Sequence, residues 1–156
     1  MASLYTVERS RTIYAPAERV FPLIADFRHW TRWSPWEDVD PDLHRSYTGA
    51  ESGVGAVYGW SGNRKAGAGR MEILRAEPNS LVEVDLRFEK PFRSANTTTF
   101  VLQPVGDRTE VIWRMTGPRP LVMRLTQKFF DMDKLIGKDF ARGLDRMALI
   151  APAPPA

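Results

Sequence analysis

Chemistry in this chain has to come from carboxylates, phenols and indoles, because the usual catalytic side chains are scarce. Cysteine is absent from the 156 residues, which removes disulfides, thiolate nucleophiles and cysteine metal sites together. The only histidines, His29 and His44, fit no metal-ligand spacing such as His-Glu-x-x-His and read as surface or packing residues. No metal and no organic cofactor is expected. There is no Gly-x-Ser-x-Gly elbow, and the glycine-rich stretch Gly62–Gly69 lacks the terminal Lys-Ser/Thr of a phosphate loop. Lying between two expected strands, it reads as a mobile hairpin tip. The catalytic candidates that remain are Glu37, which follows a cluster of tryptophans, and Tyr58. Either becomes an acid–base group only if burial or a neighbour perturbs its pKa.

The apolar residues are better organised than the polar ones. In Ser80–Phe88 (SLVEVDLRF), Val82, Val84, Leu86 and Phe88 alternate with Glu83, Asp85 and Arg87. That period of two gives a strand with one buried and one wet face. Val111, Trp113 and Met115 repeat the pattern. The same parity puts Tyr58 and Trp60, and Met71 and Ile73, on the inward face. Phe129, Met132, Ile136 and Phe140 recur at helical spacing and would face them from a helix. These side chains either fill a solid core or line a cavity. Asn96 and Thr98 share parity with Phe100 and Leu102 and point inward with them. Arg9 and Arg11 share parity with Val7 and Ile13; either a twist returns them to solvent, or a carboxylate or an anionic ligand meets them.

These residues need elements to position them. Residues 4–14 read as a strand, and Pro16 opens a helix whose apolar face is Val20, Phe21 and Ile24. A short helical segment follows with Asp26 as N-cap, carrying Trp30, Trp33 and Trp36 at i, i+3 and i+6. Pro35 ends it before Trp36. These tryptophans either plug one end of the sheet or touch a ligand. Residues 43–117 read as successive antiparallel strands, with turns at Pro78-Asn79 and Gly106-Asp107. The dense glycines between Gly49 and Gly69 signal bulges in a curved sheet. From Leu121 to Met147 the period becomes helical, and Gly137 and Gly143 within it mark kinks or close approaches. Residues 1–150 are expected as a single domain and the tail 151–156 (APAPPA) as disordered.

Composition narrows the function classes. Hydrophobic residues are 43% and charged residues 26%, and the formal charge of +3 is dispersed, as in an ordinary globular protein. No concentrated basic stripe suggests nucleic acid as a partner. No apolar run reaches the roughly 20 residues that span a bilayer, and the N-terminus MASLYTVERSRTI lacks a signal-peptide pattern. A cytoplasmic location is therefore expected.

The order of strand, two short helices, a run of strands and a long C-terminal helix resembles the helix-grip or START-like superfamily (birch-pollen-allergen-like, SRPBCC). Ile13-x-Ala15-Pro16-Ala17-x-x-Val20-Phe21, then Asp26-Phe27-x-x-Trp30-x-x-Trp33, is similar to the opening signature of its bacterial polyketide cyclase/dehydrase-like branch. Ser34-Pro35-Trp36-Glu37, Gly53-x-Gly55-x-x-Tyr58-x-Trp60, Gly67-x-Gly69, Thr109-x-Val111-x-Trp113-x-Met115 and Ile136-Gly137-x-Asp139-Phe140 continue it. The resemblance implies an α+β fold, a curved sheet of about seven strands wrapped around the last helix, with a cavity between them. Trp33, Trp36, Tyr58, Trp60, Met71, Ile73, Leu86, Phe88, Asn96, Trp113, Met115, Phe129, Met132 and Ile136 are then the expected ligand-contacting residues. Trp60, Trp113, Asn96 and Glu37 would set orientation. The expected function is binding of a hydrophobic or aromatic small molecule as carrier or sensor, by a monomer or homodimer. A cyclase or dehydratase using Glu37 or Tyr58 is the alternative. A protein-interaction module, with a collapsed cavity and a large exposed apolar patch, is the third reading.

Overall fold

The computed structural model describes residues 4–37, 39–90, 93–118 and 132–152. Seven strands form a single antiparallel sheet: β1 (Leu4–Ile13), β2 (His44–Gly49), β3 (Ala56–Ser61), β4 (Ala68–Glu77), β5 (Leu81–Lys90), β6 (Ser94–Val105) and β7 (Arg108–Pro118). The order β1-β7-β6-β5-β4-β3-β2 is a meander of β2 to β7 whose last strand pairs with β1. Helix α1 (Ala17–Ala25) and a 3₁₀ helix (Phe27–Arg32) link β1 to β2, and α2 (Met132–Ile150) closes the described chain. This is the α+β helix-grip architecture that the sequence suggested. Phe129 and the upstream part of the expected last helix lie outside the described residues, as does the tail beyond residue 152.

Alternation along the strands builds the inner face. Val82 and Val84 on β5, Phe100 and Leu102 on β6, Val111 on β7 and Ile73 on β4 are at most 2% exposed. Register shifts at Ala68/Gly69 and Ile73/Arg75 break the β4–β5 ladder, and such bulges increase local twist and bend the strand. Gly49 ends β2 at φ +72°, and a Cβ there would sit 2.1 Å from the Gly55 carbonyl oxygen. Only glycine fits.

The C-terminus of α1 shows how the 3₁₀ segment is held. A helix leaves its last four carbonyls without partners inside the helix. Here Pro22 O accepts from the Asp26 amide and from His29 Nδ1, Leu23 O from Trp33 Nε1, Ile24 O from Trp30 Nε1, and Ala25 O from the Gly53 amide. Asp26 caps the 3₁₀ helix by accepting from the Arg28 amide. Trp30 and Trp33 are therefore fastened by indole hydrogen bonds of 2.8 Å each.

Helix α2 packs on β1 and across the sheet mouth. A Cβ on Gly143 would meet Pro35 Cδ at 2.9 Å and Trp113 Cζ3 at 3.0 Å, so this glycine marks a close approach. Arg9 and Arg11 face the helix rather than the cavity: the Arg9 guanidinium lies over Gly137, and Arg11 pairs with Asp145 at 2.5 Å. Ala151, expected in a disordered tail, is 2% exposed within the core, its amide donating to Met147 O. No described helix is long and apolar enough to cross a membrane.

Trp33→Phe keeps an aromatic ring but, besides leaving some space at this fully buried site, leaves the Leu23 carbonyl unpaired in the interior. It should lower unfolding stability by about 1–3 kcal/mol in urea titrations; an unchanged midpoint would show that the indole hydrogen bond contributes nothing.

Candidate functional site

The inner face changes character along each strand. Toward one end, beside α1, it is closed by Val82, Val84, Phe100, Leu102 and Val111. Two residues further along the same strands, the facing side chains are Leu86 and Phe88, Thr98, and Trp113 and Met115, with Met71 on β4 and Tyr58 and Trp60 on β3. A step of two residues moves about 6.6 Å along a strand, enough to leave the packed region. These residues surround a cavity of about 200 Å³. Phe140 of α2 covers it, and Trp30, Ser34, Trp36 and Glu37 close it from the segment after α1. Trp36, 38% exposed, and the exposed Lys65 mark where it meets solvent.

Of the residues expected to contact a ligand, Trp36, Tyr58, Trp60, Met71, Leu86, Phe88, Trp113 and Met115 line this space. The others are placed differently. Trp33 is fully buried and committed to the Leu23 carbonyl. Ile73 shares the parity of Met71 but sits two residues nearer the closed end, also fully buried. Asn96 is buried beneath β7, where Oδ1 accepts from the Tyr5 hydroxyl and Nδ2 donates to Leu86 O and Ser94 Oγ. Its polar capacity is spent on the fold, and a Cβ at Gly117 would collide with it. Burial pushes the Tyr5 phenol up to about 12, keeping it a donor in that contact. Ile136 packs against the core without reaching the cavity. Phe129 and the Met132 side chain lie outside the described residues.

Ser34, Leu43, Lys65 and Ala66 line the cavity without having been expected as ligand contacts. The last two belong to the β3–β4 hairpin tip, which is tied down rather than loose. Asp40 Oδ2 accepts from the Asn63 amide at 2.7 Å, Asn63 Oδ1 accepts from the Lys65 and Ala66 amides, and Trp60 Nε1 donates to Ala66 O. Asn and Asp side chains that accept from amides two residues on are a recognised source of turn order. The tip carries no phosphate-loop geometry.

Aromatic contacts fix the remaining wall. Trp113 stacks on Phe140 with centroids 4.0 Å apart and planes at 6°, and meets Trp36 edge-on at 5.8 Å. Trp60 stacks beside Tyr58 and meets Phe88 edge-on. Thr98 Oγ1 and Trp113 Nε1 are buried in this wall without a hydrogen-bond partner among the described residues.

One charged cluster borders the cavity. The Glu37 side chain is 9% exposed and pairs with Arg45, with Nε at 2.8 Å and Nη2 at 2.6 Å from Oε2. The Tyr58 hydroxyl donates to Oε1 at 3.4 Å. The hydrogen bond to Glu37 raises the Arg45 pKa. Burial, reinforced by the Glu37 charge, pushes the Tyr58 phenol well above its usual value, so at neutral pH it is a proton donor and not a base. Among the described residues no group of His, Cys, Asp or Glu is arranged to hold a metal.

Residues 5–151 match the family described as polyketide cyclase / dehydrase and lipid transport. The chain belongs to that family. Solved structures with the same fold include norcoclaurine synthase from Thalictrum flavum in complex with dopamine and hydroxybenzaldehyde (TM-score 0.71, 9% identity, covering 99% of this chain and 91% of that one). Protein Mll3558 from Rhizobium loti shares it with TM-score 0.67 and 22% identity over 96% of this chain and 98% of that one. Protein MLL2253 from Mesorhizobium loti aligns with TM-score 0.69 and 18% identity, covering 97% and 100%. At these identities the likeness is one of fold. No curated protein matches the chain. Family membership supports ligand binding or a cyclase-type role.

The Glu37–Arg45 pair is testable by a double-mutant cycle. Arg45→Met, which strands a largely buried carboxylate, should cost about 1–3 kcal/mol. Adding Glu37→Gln should recover part of it; strict additivity would mean that the two side chains do not interact.

Proposed function

We propose that this protein binds a small, largely apolar aromatic molecule in the cavity between sheet and helix, as a carrier or sensor. The observation that carries this reading is the cavity itself. Protein interiors are packed as densely as organic crystals, and the closed end of this sheet follows that rule. Its other end encloses about 200 Å³ within walls made chiefly of aromatic and aliphatic side chains. An apolar cavity of about 150 Å³ already admits benzene, so a substituted single ring or a compact fused pair is the matching size. A ring of that kind buries roughly 150–250 Å², or about 4–6 kcal/mol at 25 cal/mol per Å². Lost translational and rotational freedom offsets part of this, so before polar contacts are added binding no tighter than about tens of micromolar is expected.

The open cavity disfavours the interaction-module reading, which needs a collapsed one. The large apolar side chains that are exposed, such as Tyr14, Val54, Leu74, Val105 and Leu149, sit on different elements. A cyclase-type activity would use the same cavity, with Tyr58 as proton donor and Glu37 beside it. Its signature would be turnover abolished by Tyr58→Phe while ligand binding persists.

All five tryptophans of the chain are Trp30, Trp33, Trp36, Trp60 and Trp113, and four of them line the cavity. Intrinsic fluorescence should therefore change saturably as toluene, indole or naphthalene is added. Leu86→Trp fills the space from β5 and should abolish this response while far-ultraviolet circular dichroism stays the same. No response in folded wild-type protein, or an equal response in Leu86→Trp, contradicts the proposal.

A further inference from the structure

We infer that Glu37, Arg45 and Tyr58 form a hydroxyl-recognition site, and that the aromatic ligand presents a neutral hydroxyl group to it. The inference rests on the cavity being a ligand site and specifies what the ligand carries.

The reasoning starts from hydrogen-bonding capacity. A carboxylate offers about four acceptor positions on its two oxygens. Arg45 places both of its contacts with the carboxylate on Oε2, and Nη2 also donates to the Glu37 backbone carbonyl. Among the described residues Oε1 receives only the Tyr58 hydroxyl, at 3.4 Å, the long limit for an O–H···O bond, whose usual distance is about 2.7–2.8 Å. Glu37 is nevertheless largely buried and borders the cavity. A buried carboxylate oxygen with spare capacity, facing an apolar space, selects a ligand that brings a donor.

Charge decides which donor. Arg45 already balances Glu37, and Lys65 adds a positive charge to the cavity rim. An ammonium group would enter a site without net negative charge and would lose its own hydration. A neutral hydroxyl loses far less. It also suits Tyr58, whose phenol keeps its proton and can turn from Glu37 toward an incoming oxygen. The ligand hydroxyl then donates to Glu37 Oε1 and accepts from Tyr58. The aromatic wall of Tyr58 and Trp60, stacked on each other, with Phe88 edge-on to Trp60, lies next to this cluster and receives the ring that bears the hydroxyl. The ligand class is a phenol or a hydroxylated fused aromatic.

The test compares 4-fluorophenol with 4-fluorotoluene, which are nearly isosteric and differ by hydroxyl against methyl. Both are titrated into the intact protein at pH 7, where a phenol with its ordinary pKa near 10 is neutral, and are read by fluorine NMR. In a cavity without an acceptor the toluene binds more tightly, because the hydroxyl leaves water unpaired. Wild-type protein should reverse that order, with 4-fluorophenol at least threefold tighter and its bound resonance displaced toward the phenolate position. The double substitution Glu37→Leu with Arg45→Leu removes the carboxylate acceptor without stranding a charge, leaves the Thr98 and Tyr58 hydroxyls in place, and should restore the preference for 4-fluorotoluene. If that variant does not fold, the wild-type order and the bound resonance decide alone. Tighter binding of 4-fluorotoluene to wild type overturns this inference and leaves the cavity reading standing. Binding of neither compound to folded protein overturns both.

Discussion

The last four carbonyls of α1 constrain the site more than any other single feature. Those of Leu23, Ile24 and Ala25 must find donors because these residues are buried. The Trp30 and Trp33 indoles, the His29 ring, and the Asp26 and Gly53 amides supply them. Two of the chain's largest side chains are thereby held in one orientation, and the 3₁₀ segment that bears them is fixed against the sheet. Ser34, Pro35, Trp36 and Glu37 follow directly, so their place along the cavity is set by that anchorage. Arg142 Nη2 and Arg146 Nη1 of α2 donate to Pro35 O and Ser34 O, tying the same segment to the helix from the other side.

Much of the fold was legible in the sequence because periodicity reports which face a residue is on. Val82, Val84, Leu86 and Phe88 were readable as inward from their alternation with charged residues, and all four are. Periodicity does not report position along a strand. Ile73 and Met71 share parity and differ only by one step, yet one is sealed in the core and the other borders the cavity. Trp33 and Trp36 are separated by a single turn, but only the first meets a helix carbonyl. Asn96 looked inward by parity and is; its partners come from β1, β5 and its own strand, pairings that no local pattern announces. Lys65 and Ala66 reach the cavity through a folded-over tip whose order depends on Asp40, more than twenty residues away in sequence, and Leu43 reaches it from the turn before β2, its amide donating to Asp40 O.

Polar chemistry was the least legible part. Glu37 stood out by its neighbours, and Tyr58 by its place on an aromatic strand. Arg45, which pairs with the first and lies on the strand facing the second, carried no signal of its own. The β2–β3 register sets Arg45 opposite Trp60 and Tyr47 opposite Tyr58, and Arg45 reaches Glu37 from there. A catalyst and a binding site would use the same three side chains, and the Tyr58 phenol, held protonated by burial, suits donation in either. What distinguishes this region from an ordinary core is that its aromatic walls enclose space.

The most direct measurement of that space uses protein labelled with ¹³C at the methionine methyl groups, titrated with toluene. Met71 and Met115 line the cavity, whereas Met147 is fully buried in the core away from it. The account predicts that the Met71 and Met115 methyl resonances move together and saturate while Met147 stays in place. Methyl resonances that all remain still, or that all shift alike, would contradict an apolar cavity open to a ligand.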